Sequence, residues 1–323
     1  MKNKRIIWVS IIIVFIFLGV VIGAALVYAK LPLSPSMKLT IPTITPTSTG
    51  FPTPISNCGM TGAKVILVVV RDVAQWDPPH NADFIRYIKV DYSNKKVDVV
   101  SIPRDIWVQT PIMENGNYKV SRIGELYLYI EQNAKGSQKD IEILATTTLA
   151  QTLYNNFGIT PNFYLSMDGS KLPQIIDLVG GIDIYNTTPF TVENHYFDSG
   201  NIHINGQEAE LYMRWLPTNV ESEDRLSRQE KIIIALWEKM LIPENFINIP
   251  TWMTQFSNSF ITDLSPQGIN SLICMTKELS KDEVNFHDIS LETTPELVSA
   301  GPGNSLIPNI SKMSDFLKEY LSP

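Results

Sequence analysis

The chain has 323 residues, 44% of them hydrophobic, and a formal net charge of −7. That hydrophobic content supports a sizeable core and excludes a disordered protein, while the acidic balance argues against a nucleic-acid-binding domain, which carries a basic face. Any polyanionic partner must then be held by a local basic site.

The chain opens with MKNKR and continues in an uncharged apolar run from Ile6 to Ala29. A helix needs about 20 such residues to cross a bilayer. Lys2, Lys4 and Arg5 on the leading side predict a cytoplasmic N-terminus and send the remaining chain outside. A cleaved signal peptide is the competing expectation, but its apolar core runs to about 7–15 residues, shorter than this one. Lys30 and the segment after it speak against a buried core helix. Residues 31–57 are rich in Pro, Thr and Ser with almost no charge, the composition of an extended stalk. The expected layout is a cytoplasmic N-terminus (1–5), a transmembrane helix (6–29), a linker (30–60) and an extracytoplasmic domain (61–323). Cys58 and Cys274 are the only cysteines. They offer no disulfide framework and no zinc motif, and one bridge or two free thiols are equally consistent.

From about Ala63 strands and helices alternate. KVILVVV (64–70), FIRYIKVDY (84–92) and KVDVVSI (96–102) are β-branched or aromatic runs, and YSNKK between the last two has the polar character of a hairpin turn. DIEILATTTLAQTLYNNFG (140–158) has helical spacing and stops at a glycine. NFYLSMD (162–168) and IDIYN (182–186) read as strands around a helical KLPQIIDLVG (171–180). GQEAELYMRWL (206–216) and DRLSRQEKIIIALWEKML (224–241) read as helices, the second amphipathic. VNFHDIS reads as a strand and SKMSDFLKEYL as a final helix. No internal repeat is present. The pattern predicts one α/β domain.

Charge gathers at element ends in three places. Arg104 and Asp105 follow a strand directly, at the kind of sheet edge where α/β proteins bind ligands. Arg122 opens SRIGELY, read as the start of a helical segment. Arg214, Arg225, Arg228 and Gln229 lie on two successive helices, with Arg225 and Gln229 four apart and so on one face. Arginine grips phosphate with directional, paired hydrogen bonds and does not titrate, so several converging would clamp a pyrophosphate. Asp83 and Asp105 beside such a clamp have the chemistry to hold Mg²⁺, which takes oxygen ligands and bridges to phosphates. A strand-end ion pair and a solvated helix face are the plain structural alternatives. Other mechanisms find less support. His80, His195, His203 and His287 lack metal-site spacing. Ser93 and Lys96 form a bare S-x-x-K in a predicted turn, and Glu221, Glu223 and Asp224 read as a solvated loop.

Taken in order, the apolar N-terminal run, SIPRD, RIGELY, YLSMDGSKLPQIIDLVGGIDI, GQEAELYMRW and DRLSRQ resemble the LytR-CpsA-Psr family over about residues 63–320. The resemblance implies an α/β fold in which a central mixed β-sheet flanked by helices encloses an apolar tunnel for a polyprenyl chain. It implies a phosphotransferase that moves a glycan polymer from undecaprenyl pyrophosphate onto peptidoglycan, or a related acceptor, outside the cell membrane. Carried over by position, Asp83 and Asp105 would associate with Mg²⁺ (or Mn²⁺), and either would help activate the acceptor hydroxyl. Arg104, Arg122, Arg214, Arg225 and Gln229 would bind the pyrophosphate, with Asp83, Arg104, Asp105 and Arg122 as the catalytic set.

Three positions depart from the family pattern. Asn81 stands where an arginine precedes the first aspartate, Gly124 where an asparagine is usual, and Leu216 where a further arginine follows Arg214. Two of these losses remove positive charge from the clamp, each charge-assisted contact being worth about 1.5–3 kcal/mol. Lys119 and Arg228 are the cations available to make up the loss. A non-catalytic module that binds polyprenyl phosphate is therefore the alternative function. A transcriptional regulator is opposed by the anchor, the outward topology and the acidic charge.

Overall fold

The computed structural model describes residues 58–71, 81–114, 117–215, 259–279, 283–289, 298–299 and 305–322, with isolated positions at 228, 229, 231, 232, 235, 236, 239 and 256. The expected membrane span at 6–29, nearly all of the linker and Arg225 lie outside the described residues. Among the described residues no helix is long and apolar enough to cross a membrane.

Strands β1 (Ala63–Arg71), β2 (Ala82–Asp91) and β3 (Lys96–Ile102) form an antiparallel meander, followed by a hairpin of β4 (Trp107–Glu114) and β5 (Asn117–Arg122). A 3-10 turn at Ile123–Glu125 leads into helices α1 (Leu126–Asn133) and α2 (Gln138–Phe157). After β6 (Phe163–Asp168) and α3 (Leu172–Leu178), four short strands build two ribbons: β7 (Ile182–Asn186), β8 (Phe190–Val192), β9 (His195–Phe197) and β10 (Gly200–Ile204). Next come α4 (Gly206–Arg214), β11 (Phe260–Thr262), α5 (Pro266–Glu278) and β12 (Val284–Asp288). The described chain closes with the pair β13 (Val298–Ser299) and β14 (Leu306–Ile307) and with α6 (Ile310–Leu321).

The central sheet runs β11–β6–β1–β2–β3–β12, and it is mixed: β6 lies parallel to β1 and β12 parallel to β3, while the other neighbours are antiparallel. It is covered on both faces, which is why its central strands read as largely β-branched or aromatic runs with few polar residues and not as regular alternation. Ile66, Val68 and Val70 of β1 pack with α3, α4, α5 and the ribbons. Val65, Leu67 and Val69 pack with α1, α2 and α6 on the other side. Each strand thus serves two cores with a period of two.

Local chemistry sets the boundaries. The carboxylate of Asp91 accepts the backbone N–H groups of Ser93 and Asn94 at 2.9 and 3.0 Å, which turns β2 into β3 where YSNKK had predicted a turn. Ser137 caps α2 by accepting from the Asp140 N–H, and the helix ends at Gly158 with φ 76, a left-handed conformation that favours glycine. Asn205 and Glu208 form a reciprocal capping box on α4. The helix expected over 224–241 is represented by helical positions 228, 229, 231, 232, 235, 236 and 239. The two cysteines are joined: Cys58, just ahead of β1, is bonded to Cys274 of α5 across 216 residues of sequence.

Candidate functional site at the end of the central strands

The segment quoted as SIPRD leaves the sheet because Pro103 has no N–H to continue the ladder of β3. The turn that follows is held by backbone bonds from two other elements. Gly124 N–H donates to the Arg104 carbonyl and Ile123 N–H to the Ile106 carbonyl, both at 2.9 Å, and Leu306 N–H donates to the Asp105 carbonyl at 2.9 Å. Gly124 lies so close that a Cβ there would meet Arg104 Cβ at 2.9 Å and the Ala82 carbonyl oxygen at 3.0 Å. The asparagine usual in the family at this position has no room in this chain.

Asp83 reaches the same turn through an irregularity in the sheet. The register pairs Val70 with Phe84 and Arg71 with Ala82, leaving Asp83 as the extra residue of a bulge. Bulges re-aim side chains in this way. The Asp83 carboxylate is buried, with 3% of its side chain exposed, and is ion-paired with Arg104. Arg104 Nε stands 3.9 Å from Asp105 Oδ2, and Arg122 Nε stands 3.8 Å from Asp105 Oδ1. Arg122 Nε also donates to Ser305 Oγ at 3.0 Å, and its Nη1 lies 3.6 Å from Glu125 Oε1. The result is a chain of alternating charge, Asp83–Arg104–Asp105–Arg122–Glu125. Its two guanidinium groups remain about a fifth to a quarter exposed, at 20% and 24%. Carboxylates hold each guanidinium in place at a part-exposed position, and a guanidinium so held has the directional donor chemistry that suits an anion.

The four residues assigned a catalytic role by resemblance are therefore brought together. Sequence reasoning placed Arg122 at the start of a helical segment, and it stands there, ending β5 as the N-cap residue of the 3-10 turn that leads into α1. Glu125 and Ser305 were missed. The first lies three residues beyond Arg122, a spacing that juxtaposes side chains on one helical turn, whereas the second is 183 residues away and carries no sequence signal.

Beneath this edge lies a buried polar group that the sequence did not reveal. Arg71, 6% exposed at the end of β1, pairs through Nη2 with Glu142 Oε1 at 2.8 Å. The Tyr127 hydroxyl lies 2.6 Å from Thr146 Oγ1 and donates to Ser166 Oγ at 3.3 Å. Burial pushes the Tyr127 phenol up, against those hydrogen bonds and the nearby charge of Arg71, so it stays a neutral donor. On the opposite face of the sheet Arg86 is also buried, with its guanidinium 4.0 Å from the centre of the Phe84 ring.

The later arginines have other described partners. Arg214 contacts Glu193 at 2.8 Å and Glu210 at 3.3 Å, which ties α4 to the turn between β8 and β9. Gln229 is buried, with its side-chain oxygen lacking a hydrogen-bond partner. Arg228 donates to the carbonyls of Tyr212 and Trp215 at the end of α4, and its guanidinium lies 4.9 Å from the Trp215 ring centre. Lys119 pairs with Glu114 at 3.2 Å and lies 4.5 Å from the Tyr129 ring. These are the described contacts of the two cations available to make up for the arginines absent at 81 and 216; position 216 itself lies outside the described residues. His203 pairs with Asp183 at 2.7 Å and His287 with Asp98 at 3.2 Å, and Ser93 Oγ accepts from the Gly62 N–H within its turn. Among the described residues no three His, Cys, Asp or Glu side chains converge as a metal cluster.

Comparison with known proteins identifies the family. The chain is 26% identical over 178 residues to the polyisoprenyl-teichoic acid–peptidoglycan teichoic acid transferase TagU of Enterococcus faecalis, a match covering 54% of this chain and 52% of that protein. It is 24% identical over 278 residues to the corresponding transferase TagV of Bacillus subtilis, covering 80% of this chain and 64% of that one. The chain thus spans between about half and two thirds of these relatives' lengths. The crystal structure of B. subtilis TagV shares the fold with a TM-score of 0.59 at 23% identity, over 81% of this chain and 98% of that one. The model of the LytR_cpsA_psr family matches residues 46–317, so the chain belongs to that family.

Proposed function

We propose that the chain is an extracytoplasmic phosphotransferase that moves a glycan polymer from a polyprenyl pyrophosphate carrier onto peptidoglycan or a related wall acceptor. The observation that carries this reading is the chain of alternating charge at the end of β3. Two part-exposed guanidinium groups are pre-positioned by carboxylates, as pyrophosphate recognition requires. The transferase names of the family relatives support it.

In this reading a sugar hydroxyl of the acceptor attacks the phosphorus nearest the glycan. A new P–O bond forms to the acceptor oxygen, the bond to the bridging oxygen breaks, and polyprenyl phosphate leaves. Asp105, with 24% of its side chain exposed, can meet the hydroxyl and take its proton, whereas Asp83 is buried against Arg104. Arg104 and Arg122 hold the phosphate oxygens, so catalysis is mostly positioning and charge neutralisation. Two carboxylates gathered on one guanidinium also fit a hard divalent cation, which takes one or two carboxylates and completes its shell with phosphate oxygens and water. Asp83 and Asp105 would hold Mg²⁺ or Mn²⁺, which supplies further neutralisation of the phosphate charge. The apolar run at 6–29 supports a single-pass anchor with residues 1–5 in the cytoplasm and residues 61–323 outside. The polyprenyl chain would lie in an apolar tunnel of the domain.

The test uses the full-length chain with a synthetic polyprenyl-pyrophosphate saccharide and peptidoglycan fragments, with and without Mg²⁺. Metal-dependent release of polyprenyl phosphate, coupled to glycan transfer and lost in Arg104→Ala and Asp105→Ala, is the expected result. Tight lipid binding without turnover, under conditions where another family member turns over, would replace the transferase by the non-catalytic binding module. A reporter at the C-terminus giving a cytoplasmic signal would overturn the topology.

A further inference from the structure

The outward face of the β4–β5 hairpin begins at the candidate site. The register sets Trp107 opposite Arg122 and Gln109 opposite Val120. Side chains alternate between the two faces of a strand, so these four share one face. The other face is the buried one: Val108 and Thr110 are each 1% exposed and Ser121 is 7% exposed. Asn156 of α2 accepts from the Gln109 N–H at 3.2 Å and donates to the Gln109 carbonyl at 2.8 Å, so the backbone bonds of Gln109 point away from β5. The bond from Ile123 N–H to the Ile106 carbonyl at 2.9 Å fits the same phase of the ladder. Gln109–Val120 and Trp107–Arg122 are therefore its non-hydrogen-bonded pairs, whose opposing side chains stand closest, with Cβ atoms about 4.5–5.5 Å apart. Trp107 is thus half-buried beside the Arg122 that contacts Asp105. Gln109 is exposed and Val120 is 47% exposed. Met113, 58% exposed, stands opposite position 118, which alternation puts on the same face.

The chemistry of this face selects its occupant. Between Arg122 and the Glu114–Lys119 ion pair at the far end of the hairpin, Trp107, Gln109, Val120 and Met113 carry no charge. A polymer with repeating phosphates would need cations there, and a lipid surface would bury the Gln109 amide without a partner. An uncharged saccharide suits it. The C–H faces of a sugar pack on an indole, and its hydroxyl and acetamido groups pair with an amide that both donates and accepts. We propose that this face seats the acceptor saccharide, an uncharged run of hexose or N-acetylhexosamine units, with one ring on Trp107 and the next against Gln109. The two residues are about 7 Å apart along the strand, so more than one sugar unit is engaged. The ring on Trp107 lies beside Arg122 and Asp105, where the attacking hydroxyl has to arrive. This inference rests on the transferase reading above and gives its acceptor a location.

The experiment is titration calorimetry of the full-length chain with two probes, chitohexaose and farnesyl pyrophosphate, using wild type, Trp107→Ala, Trp107→Phe and Gln109→Ala. The wild type should bind both probes. Trp107→Ala should weaken chitohexaose binding about tenfold and Gln109→Ala about fivefold, while Trp107→Phe, which keeps an aromatic face, should retain most of the affinity. Gln109→Ala should bind farnesyl pyrophosphate as the wild type does; an equal loss of both probes in that variant would make its effect structural and overturn the proposal. Chitohexaose affinity unchanged in both alanine variants would overturn it too, as would a wild type that binds farnesyl pyrophosphate but not chitohexaose. Each of these results leaves the transferase reading standing. A wild type that binds chitohexaose but not farnesyl pyrophosphate overturns that reading, and the acceptor role falls with it. If Trp107→Ala fails to fold, Gln109→Ala, at an exposed side chain, decides between these results. In phosphatidylglycerol nanodiscs containing brominated lipid, tryptophan quenching should be the same in wild type and Trp107→Phe. Quenching lost with Trp107 would place this face in the bilayer and overturn the saccharide assignment.

Discussion

Gly124→Ala should loosen the turn that carries Arg104. A Cβ at 124 would lie 2.9 Å from Arg104 Cβ, 3.0 Å from the Ala82 carbonyl oxygen and 3.1 Å from the Arg104 carbonyl oxygen, where ordinary contact begins at 3.4 Å. The shortfall is therefore about 0.3–0.5 Å at three places, none of them the far end of a flexible side chain, so β2 and the turn must move apart. Overpacking of this kind costs about 1–3 kcal/mol. Replacing glycine lowers the entropy of the unfolded chain and returns about 0.4–1 kcal/mol, so the mid-values leave a net loss of about 1.3 kcal/mol. In a domain of this size that is a fall in Tm of about 3–5 °C. The same displacement stretches the bond between Gly124 N–H and the Arg104 carbonyl and moves the guanidinium off Asp83, so donor affinity should fall as well. Thermal melts of the full-length chain, with calorimetric titration of the pyrophosphate donor, report both effects. Gly124→Asn, which installs the family's usual residue, should be worse than alanine. Melting within 1 °C of wild type and unchanged donor affinity in Gly124→Ala would refute the argument, because they would show that the turn yields freely.

Three further outcomes are expected. Replacing both Cys58 and Cys274 by serine releases a 216-residue closure, for which the chain-entropy relation gives about 5 kcal/mol, and calorimetry should register a loss of about 2–5 kcal/mol. Arg228→Met strips donors from the Tyr212 and Trp215 carbonyls at the end of α4 and should cost about 2–4 kcal/mol in urea melts, with donor affinity per folded molecule unchanged. At Asp98, burial pushes the carboxyl up, but the hydrogen bond with His287 and the charges of Lys96 and Lys89 outweigh it and hold the group below the ordinary carboxylate value. A depressed folded value means that ionised Asp98 contributes its stability in full above about pH 4 and loses it as pH falls through the folded value. The stability gap between wild type and Asp98→Asn, read from urea midpoints, should therefore narrow from pH 5 to pH 3; a constant gap would place the stabilisation elsewhere.

The elements that sequence reasoning recovered are those in which one strong periodic signal coincides with a chemical stop. Strands β1 to β3 are β-branched or aromatic runs broken by only a few charges, α2 has both a cap and a terminal glycine, and α4 carries its capping box in the letters NGQE. The hairpin of β4 and β5 went unread because WVQTPIME and NYKVSR mix polar residues with a proline, and their pairing is irregular between Gln109 and Met113. At the site, Arg104 and Asp105 were legible because Pro103 announces the end of a strand. The partnership of Asp83 with Arg104 depends on a bulge, and the placement of Ser305 on a contact between distant segments; neither leaves a trace in residue order. Arg214 has the residue type a clamp needs, yet its described contacts are with Glu193, in the turn between two three-residue strands, and with Glu210 one helical turn back on α4; neither partner is flagged by composition.

The bond between Cys58 and Cys274 also has a mechanical meaning. Cys58 is the first described residue of the domain, so any pull transmitted along the preceding segment arrives there before it reaches β1. Without the bridge, such a load would fall on the hydrogen bonds that seat β1 between β2 and β6, at the centre of the sheet. With it, the load passes covalently into α5 and is shared across the apolar packing that surrounds Ile269, Leu272 and Met275. Under the proposed function the chain would be held at one end and engaged with a polymer at the other, and the bridge would divert the resulting tension away from the strand that ends in Arg71. In single-molecule extension from the N-terminal side, β1 should leave the sheet at lower force once the bridge is reduced.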